Sequence, residues 1–322
     1  MTGEEIKILA KIEKERKRIF NKSHKCFHPF CTKTAIDSHV LQKNEFIKNI
    51  AEDGHVYEYE YHPFNDQYFQ LKRKGINKVF TFKGFCSYHD DYLFKDIEKR
   101  EINFNDYKTC LIFAHRIIAQ EIIKKENVIE FYKSLIQKNI GNIEIFKEKI
   151  SGQRLGVKDA GFTLIKVLEN IKNTDLNNFN FHIREIKFLE VCASGLYTFE
   201  TTKEQNEMSL EIYALPLTDI LVNILPYQGN TVVSFGYLNT NNLACNTFIS
   251  NKFKLTEDEF IKFLSDILVA QMENWIISPS YYEKIKEDEE ILLEITKKAL
   301  TIDDERFDIN YNLLNKNNTP NS

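Results

Sequence analysis

Two short stretches constrain this chain more than anything else in it: "KCFHPFCTKTAIDSHV", Lys25 to Val40, and "GFCSYHDDYLF", Gly84 to Phe94. The 322 residues include only six cysteines and eight histidines, yet four of the cysteines and seven of the histidines fall before residue 116. Cys26 and Cys31 in the first stretch, with Cys86 and His89 in the second, supply four sulfur or nitrogen donors, the number a structural Zn2+ takes in tetrahedral geometry. A Cys-x2-His pair entering a helix turns both side chains back to one point. The Cys26-x4-Cys31 gap is wider than the usual two residues, so His24 and His28 stand as alternatives to one of its members. Without a metal, the same thiols read as ordinary small buried residues.

A chain of this length exceeds what one hydrophobic core usually serves, and its 43% hydrophobic content is ample for two. Few cysteines and no charged-then-apolar leader read as a reduced, cytoplasmic protein without disulfides. No apolar run reaches membrane-spanning length, so no membrane partner is expected. The net charge of −4 hides an uneven distribution. Residues 1 to 48 carry eleven Lys or Arg against six Asp or Glu, a footprint suited to phosphate and equally to a solvated basic helix face.

Periodicity predicts a first helix capped by Thr2 and running to about Asn21, a short strand in "TAIDSHVL", a short helix ended by Gly54, and strands in "HVYEYEYH" and "KVFTFKGF". The last of these leads into a helix near Cys86. Helical spacing fills Tyr107 to Lys172, and the Asn-rich stretch to residue 178 marks a boundary. Beyond it, "IREIKFLEVCASGLYTFE", "MSLEIYALPLTDILVNILP" and "TVVSFGYL" read as strands, with "YQGN" as a turn. Helices follow in "TEDEFIKFLSDILVAQMENWI", capped by Thr256, and in "PSYYEKIKEDEEILLEITKKAL". The expected class is α+β: a metal-stapled module over 1–105 with its basic helix, a helical connector over 106–178, an α+β domain over 179–314 and a disordered tail over 315–322.

The order Cys pair, strand with His39, strand, then Cys86-x2-His89-Asp90 on a helix resembles the zinc-stapled HNH (His-Me finger, ββα-metal) endonucleases. The resemblance covers about Cys26 to Glu98. It implies a treble-clef-like N-terminal module in which His39 is the general base on water and Asp90 holds a catalytic Mg2+ or Mn2+, with nucleic acid, DNA in the first instance, as substrate. Three departures stand out. Ser38 occupies the position before the base where the family usually has Asp, and Asp37 lies on the other face of a regular strand. The second zinc pair is Cys/His where Cys/Cys is common, and Asp90 replaces a common His. The central Asn is Asn65 or Asn77. The same front end resembles that of uncharacterised bacterial proteins, some of which look like phage-defence components; this resemblance implies an antiviral role and a C-terminal half that meets a protein partner or effector.

The other outcome is a non-catalytic, zinc-stapled adaptor that binds nucleic acid or protein, with Ser38 as its main support. His115 and Arg116 on the next helix read as an exposed pair, with phosphate binding as the alternative; Lys83 and Lys95 bordering the cluster read as solvated charges, with nucleic-acid backbone contact as the alternative; His55 and His62 are unassigned. Trp275, Phe260 and Phe263 are expected in the rear core, with Cys110, Cys192 and Cys245 as small buried residues. No phosphate-cradling loop, nucleophile elbow or dinucleotide fingerprint is present in the sequence.

Overall fold

The computed structural model describes residues 3–61, 69–199, 218–239, 243–299 and 309–315. It is a mixed α and β structure. The expected Thr2 cap, His62, Asn65, the "MSLEIYALP" strand and the tail beyond Asn315 lie outside those residues.

Helix α1 spans Gly3–Phe20 and is followed by the first metal-donor loop and strand β1, Asp37–His39. A hairpin of β2, His55–Tyr61, and β3, Phe69–Gly75, precedes β4, Thr81–Lys83, which enters α2, Ser87–Phe94. The segment expected as a short helix before Gly54 makes only a single tight turn at Ile47–Asn49. Two long helices follow, α3 over Tyr107–Gln137 and α4 over Ile143–Lys172. Asp106 caps α3 by accepting from the Thr109 amide, and Asn142 caps α4 in the same way. Strands β5, Phe179–Lys187, β6, Val191–Thr198, β7, Asp219–Tyr227, and β8, Asn230–Leu238, form the C-terminal sheet with β9, Trp275–Ile277. Gln228 and Gly229, both at positive φ, make the tight β7–β8 turn that the "YQGN" sequence predicts. Helices α5, Leu243–Lys252, α6, Glu257–Ala270, α7, Pro279–Ile285, and α8, Glu289–Ala299, complete the described chain.

Every pairing in the large sheet is antiparallel, in the order β3-β2-β9-β6-β7-β8-β5. Two features differ from the sequence reading. The end of the predicted "AQMENWI" helix is strand β9, because Trp275 to Ile277 fit between β2 and β6 and are fully buried there. Through β9, the β2–β3 hairpin extends the C-terminal sheet, with Tyr57 opposite Ile277.

Strand β7 explains the layering. Leu221 and Leu225 pack with α3 and α4, while Ile220, Val222 and Ile224 pack with α6 on the other face. A strand buried on both sides loses the hydrophobic alternation of a one-sided sheet, as "DILVNILPY" does. The α3 side continues without a break through Leu111, Ile112 and Ile118 into Cys26, Phe85 and Phe94 around the metal-donor loops. The expected boundary at residue 105 therefore falls inside one hydrophobic cluster.

Helix α1 docks Ile12 and Ile19 against Phe131, Tyr132 and Leu135 of α3. Buried Glu15 accepts from Arg18, Lys138 and Ser134, which hold its pKa down to about 2. Arg16 and Lys17 pair with Glu13, and Lys22 with Glu130. Several of the basic side chains of this first segment are thus paired with carboxylates of α1 itself and, at Glu130, of α3.

On the sheet face under α4, Asp219 accepts from Thr163 Oγ1 at 3.3 Å. Burial, reinforced by the Asp159 charge, pushes its pKa up to about 7. An unfolded Asp titrates near about 3.9, so the folded state binds the extra proton between those values and stability falls as pH rises through them. Asp219→Asn should raise the melting temperature at pH 8 by roughly 2–4 °C and change it less at pH 5; equal shifts at both pH values would contradict a protonated Asp219.

Candidate metal centre and the adjoining polar cluster

The first metal-donor loop is a tight turn closed by backbone bonds from Cys26 N to Lys33 O at 2.8 Å and from Cys31 N to His28 O at 3.1 Å. Phe30, one residue before Cys31, takes a left-handed conformation at φ 63° with its ring in solvent. Such a conformation costs a non-glycine residue of order 1 kcal/mol. The loop is tied to the second donor stretch by Phe27 N to Gly84 O at 2.8 Å, and Ile36 N reaches Phe85 O at 2.8 Å. Strands β1 and β4 pair antiparallel, Asp37 with Lys83, Ser38 with Phe82 and His39 with Thr81.

This framework brings Cys26, Cys31, Cys86 and His89 together, their donor atoms all within 4.8 Å of one another. Cys26 Sγ lies 3.3 Å from His89 Nδ1, Cys86 Sγ lies 3.4 Å from the same nitrogen, and Cys31 Sγ lies 3.9 Å from Cys86 Sγ. Tetrahedral zinc, with Zn–S of about 2.3 Å and Zn–N of about 2.0–2.1 Å, sets neighbouring donors about 3.5–3.8 Å apart. The group can hold a metal ion, and its spacing is compatible with structural zinc. None of the six cysteines is in a disulfide.

The surroundings suit that role. The Cys86 amide donates to Cys26 Sγ at 3.2 Å. Cys86 is the N-cap of α2, and although burial by itself would raise its thiol, the His89 and Tyr88 amides and the Cys26 and Cys31 side chains bring it below the ordinary value. Burial, together with the His28 and Lys33 charges, lowers His89, favouring the neutral ring that a metal requires. His28, an alternative ligand in the sequence, instead stacks on His89 with ring centroids 3.9 Å apart and planes within 9°. His24, the other alternative, lines a small cavity between this loop and α3.

Beside the donors lies a second set of polar groups. His39, half-buried at the end of β1, and Asp90, on the first turn of α2, each bury an atom, Nε2 and Oδ1 respectively, that no described residue hydrogen-bonds. Burial lowers the His39 pKa, assisted by Lys43 and Arg116 and opposed by Glu98 and Asp37. Arg116 is fully buried, its Nη2 2.5 Å from Glu98 Oε1 and 3.7 Å from Asp90 Oδ1, and its guanidinium lies 4.1 Å over the Phe94 ring. Arg116 Nε and Nη1 and Gln42 Oε1 have no hydrogen-bond partner among the described residues. Gln42 Nε2 donates to Glu98 O at 2.9 Å, which joins the β1 side to the end of α2.

Several expectations change here. His115 and Arg116 are buried, not exposed: His115 packs against Phe85 and Phe94, where burial and the Arg116 charge pull it down to about 4. Ser38 faces inward and accepts from the Phe85 amide at 3.2 Å. Asp37 is exposed and pairs with Lys83 at 2.6 Å. Asn77 is exposed and accepts from Lys43 at 2.7 Å. The sequence reading missed Gln42, Glu98 and the burial of Arg116. The available clue was "CLIFAHRIIAQ", apolar all round, which leaves no solvent face for a His-Arg pair.

For a catalytic divalent ion the fit is partial. Asp90 Oδ1 is a buried oxygen without a hydrogen bond among the described residues, though within 3.7 Å of Arg116 Nη2, and magnesium commonly takes one or two carboxylates plus waters and a substrate phosphate. Around it, however, the described residues gather no further group of three His, Cys, Asp or Glu donors beyond the Cys/His set. Asp37 shares the alternation of His39 but points away to Lys83. No helix among the described residues is long and apolar enough to cross a membrane. No family model, curated protein or solved structure matches the chain.

Elemental analysis of the purified chain should find one zinc per molecule. Cys31→Ser and Cys86→Ser should each lose most of it and lower the melting temperature by about 5–10 °C. Full zinc retention in Cys86→Ser would exclude the assigned ligand set.

Proposed function

We propose that the chain is an HNH-like (His-Me finger) endonuclease that hydrolyses phosphodiester bonds in nucleic acid, DNA in the first instance, on a zinc-stapled ββα module. One observation supports this above the rest. The paired strands β1 and β4 lead through the Cys86 and His89 donors into α2, and His39 and Asp90 on that framework each bury a polar atom left without a hydrogen-bond partner among the described residues.

In this reading His39 takes the proton of the attacking water. Its lowered pKa keeps the ring neutral and able to accept. Asp90 Oδ1 is the protein ligand for Mg2+ or Mn2+, which when bound neutralises charge on the scissile phosphate and its leaving oxygen. Arg116, fully buried and anchored by Glu98, sets a fixed positive charge behind Asp90. Gln42 orients the Glu98 segment from the side of β1. A role in bacterial antiviral defence, and regulation of cleavage through the C-terminal half, belong to the same proposal and rest on the sequence resemblance.

A second reading has support of its own. Arg116 already offers Asp90 a positive charge, and Ser38 is occupied with the Phe85 amide. A zinc-stapled adaptor would then bind through the exposed Phe30, Tyr88 and Tyr92, with Lys33 over the Tyr88 ring at 5.7 Å. Parallel stacking of Tyr88 on Tyr92 beside a lysine is suited to unpaired bases.

Nicking of supercoiled plasmid in magnesium or manganese separates the two. The enzyme reading expects divalent-dependent nicking that falls by about 10²-fold or more in His39→Ala with zinc content unchanged. Binding of DNA by the wild-type chain without nicking in either ion supports the adaptor.

A further inference from the structure

Strand β5 ends the large sheet, and among the described residues only β8 pairs with it. Asn178 O accepts from Asn239 N at 2.7 Å, so the even residues of β5 exchange backbone bonds with β8 and the odd residues turn theirs outward. Two of the outward amides are taken. The Phe179 N–H donates to the Tyr107 hydroxyl oxygen at 3.1 Å, and the Lys187 N–H donates to Glu257 Oε2 at 3.2 Å. Between these two stops, the outward N–H and C=O groups of Phe181, Ile183 and Glu185 face no described strand. At about 3.3 Å per residue, the open stretch is roughly 16 Å long.

The opposite end of the sheet is guarded as edges commonly are: β3 carries Lys72, Arg73 and Lys74, and α8 lies against it. The open part of β5 begins instead with Phe181, His182 and Ile183. Its charged residues come later and are engaged, Arg184 Nη1 donating to Leu255 O at 2.8 Å and Glu185 accepting from Asn230.

A cavity of about 620 Å³ lies along this edge and is lined from both faces of the strand. On the α3 face it meets Tyr107, Cys110 and Phe181; on the α5 face it meets His182, Asn246 and Ser250. Phe181 sits opposite Gly236, where any Cβ would meet its ring at 2.4 Å, so the ring lies back over β8 and leaves the space beyond the edge clear. On the other face the Tyr237 hydroxyl donates to Asn246 Oδ1 at 2.7 Å. His182 Nε2, 3.1 Å from the phenol oxygen, therefore donates to it, and Nδ1 of the ring, which burial keeps neutral, is left as an acceptor. A compact ligand fills one half of this cleft and leaves the backbone groups of Phe181 and Ile183 unused. An extended chain meets both halves and those groups at once, because its side chains alternate between the two faces.

We propose that β5 receives a short extended peptide segment of a partner protein as an eighth strand, antiparallel like every other pairing in this sheet. Its side chains opposite Phe181 and Ile183 are aliphatic and β-branched and enter the α3 half. Those between are hydroxyl-bearing and enter the α5 half, where His182 Nδ1 accepts. The residues that bring aliphatic side chains also turn their amides to β5, since directly opposite residues of an antiparallel pair share a face. The inference does not depend on the nuclease reading.

The test is fluorescence anisotropy of the full chain with a fluorescein-labelled peptide, Val-Thr-Val-Thr-Val, amidated at its C-terminus. It should saturate with a Kd of roughly 10–300 µM. N-methylation of the three valine amides should weaken binding at least about tenfold, and N-methylation of the two threonine amides, which point away from β5, less than about threefold. Ile183→Pro removes one outward donor on an edge strand, where proline is tolerated, and should weaken the peptide about tenfold with little change in melting temperature. The proposal is overturned if the peptide shows no binding at 1 mM, if the valine-methylated peptide binds as well as the parent, or if sedimentation finds a dimer that Ile183→Pro dissociates, which would assign the edge to a second copy.

Discussion

The convergence of Cys26, Cys31, Cys86 and His89 is the interaction on which the N-terminal third depends. Strands β1 and β4 have three residues each and α2 has eight, too little to hold a shape through their own hydrogen bonds. Four donors within reach of one ion lie between positions 26 and 89, and buried Val40, Leu41, Phe80, Phe85 and Phe94 pack around them. The positions of His39 on one strand and Asp90 on the helix follow from that convergence. Phe85, buried between the donors and α3, converts the same convergence into packing against the rest of the molecule.

Helix α3 is what that packing meets. Its N-terminal half is apolar on every side because the metal-donor loops lie on one face and the sheet on another. A guanidinium placed in such a helix has lost its hydration and must find charge within the protein. Glu98 and Asp90 supply it from the end and the start of the α2 segment. Arg116 thereby links the helix at the centre of the molecule to the two carboxylates nearest the candidate chemistry.

The two ends of the molecule differ in chemistry. Near the metal donors, Phe30, Tyr88 and Tyr92 are exposed, Lys33 lies over the Tyr88 ring, and the buried Arg116 is paired with Glu98. At the β5 edge the described residues lining the cavity are aromatic, amide and other uncharged groups. Helix α3 touches both, through Tyr107 and Cys110 at the cavity and His115 and Arg116 at the polar cluster.

Local rules in the sequence determined a good deal. Cys-x2-His at a helix start, the Thr256 capping box, the positive-φ turn at Gln228 and Gly229 and the helical spacing from Tyr107 to Lys172 are all satisfied within one or two turns of chain, so they can be read residue by residue. The four donors were legible for the same reason, two local pairs of a type that recurs around metal. What only the tertiary structure decided lies between distant segments. Trp275 to Ile277 continue a helical pattern until β2 and β6 arrive on either side and make a strand the better use of their backbone groups. Ser38 turned inward, Asp37 was taken by Lys83, and a His-Arg pair that looked solvated was enclosed. Spacing along the chain records which groups can share a helix face or a loop. Whether a polar group ends in water or in the interior depends on which remote surface covers it, and no local pattern contains that surface.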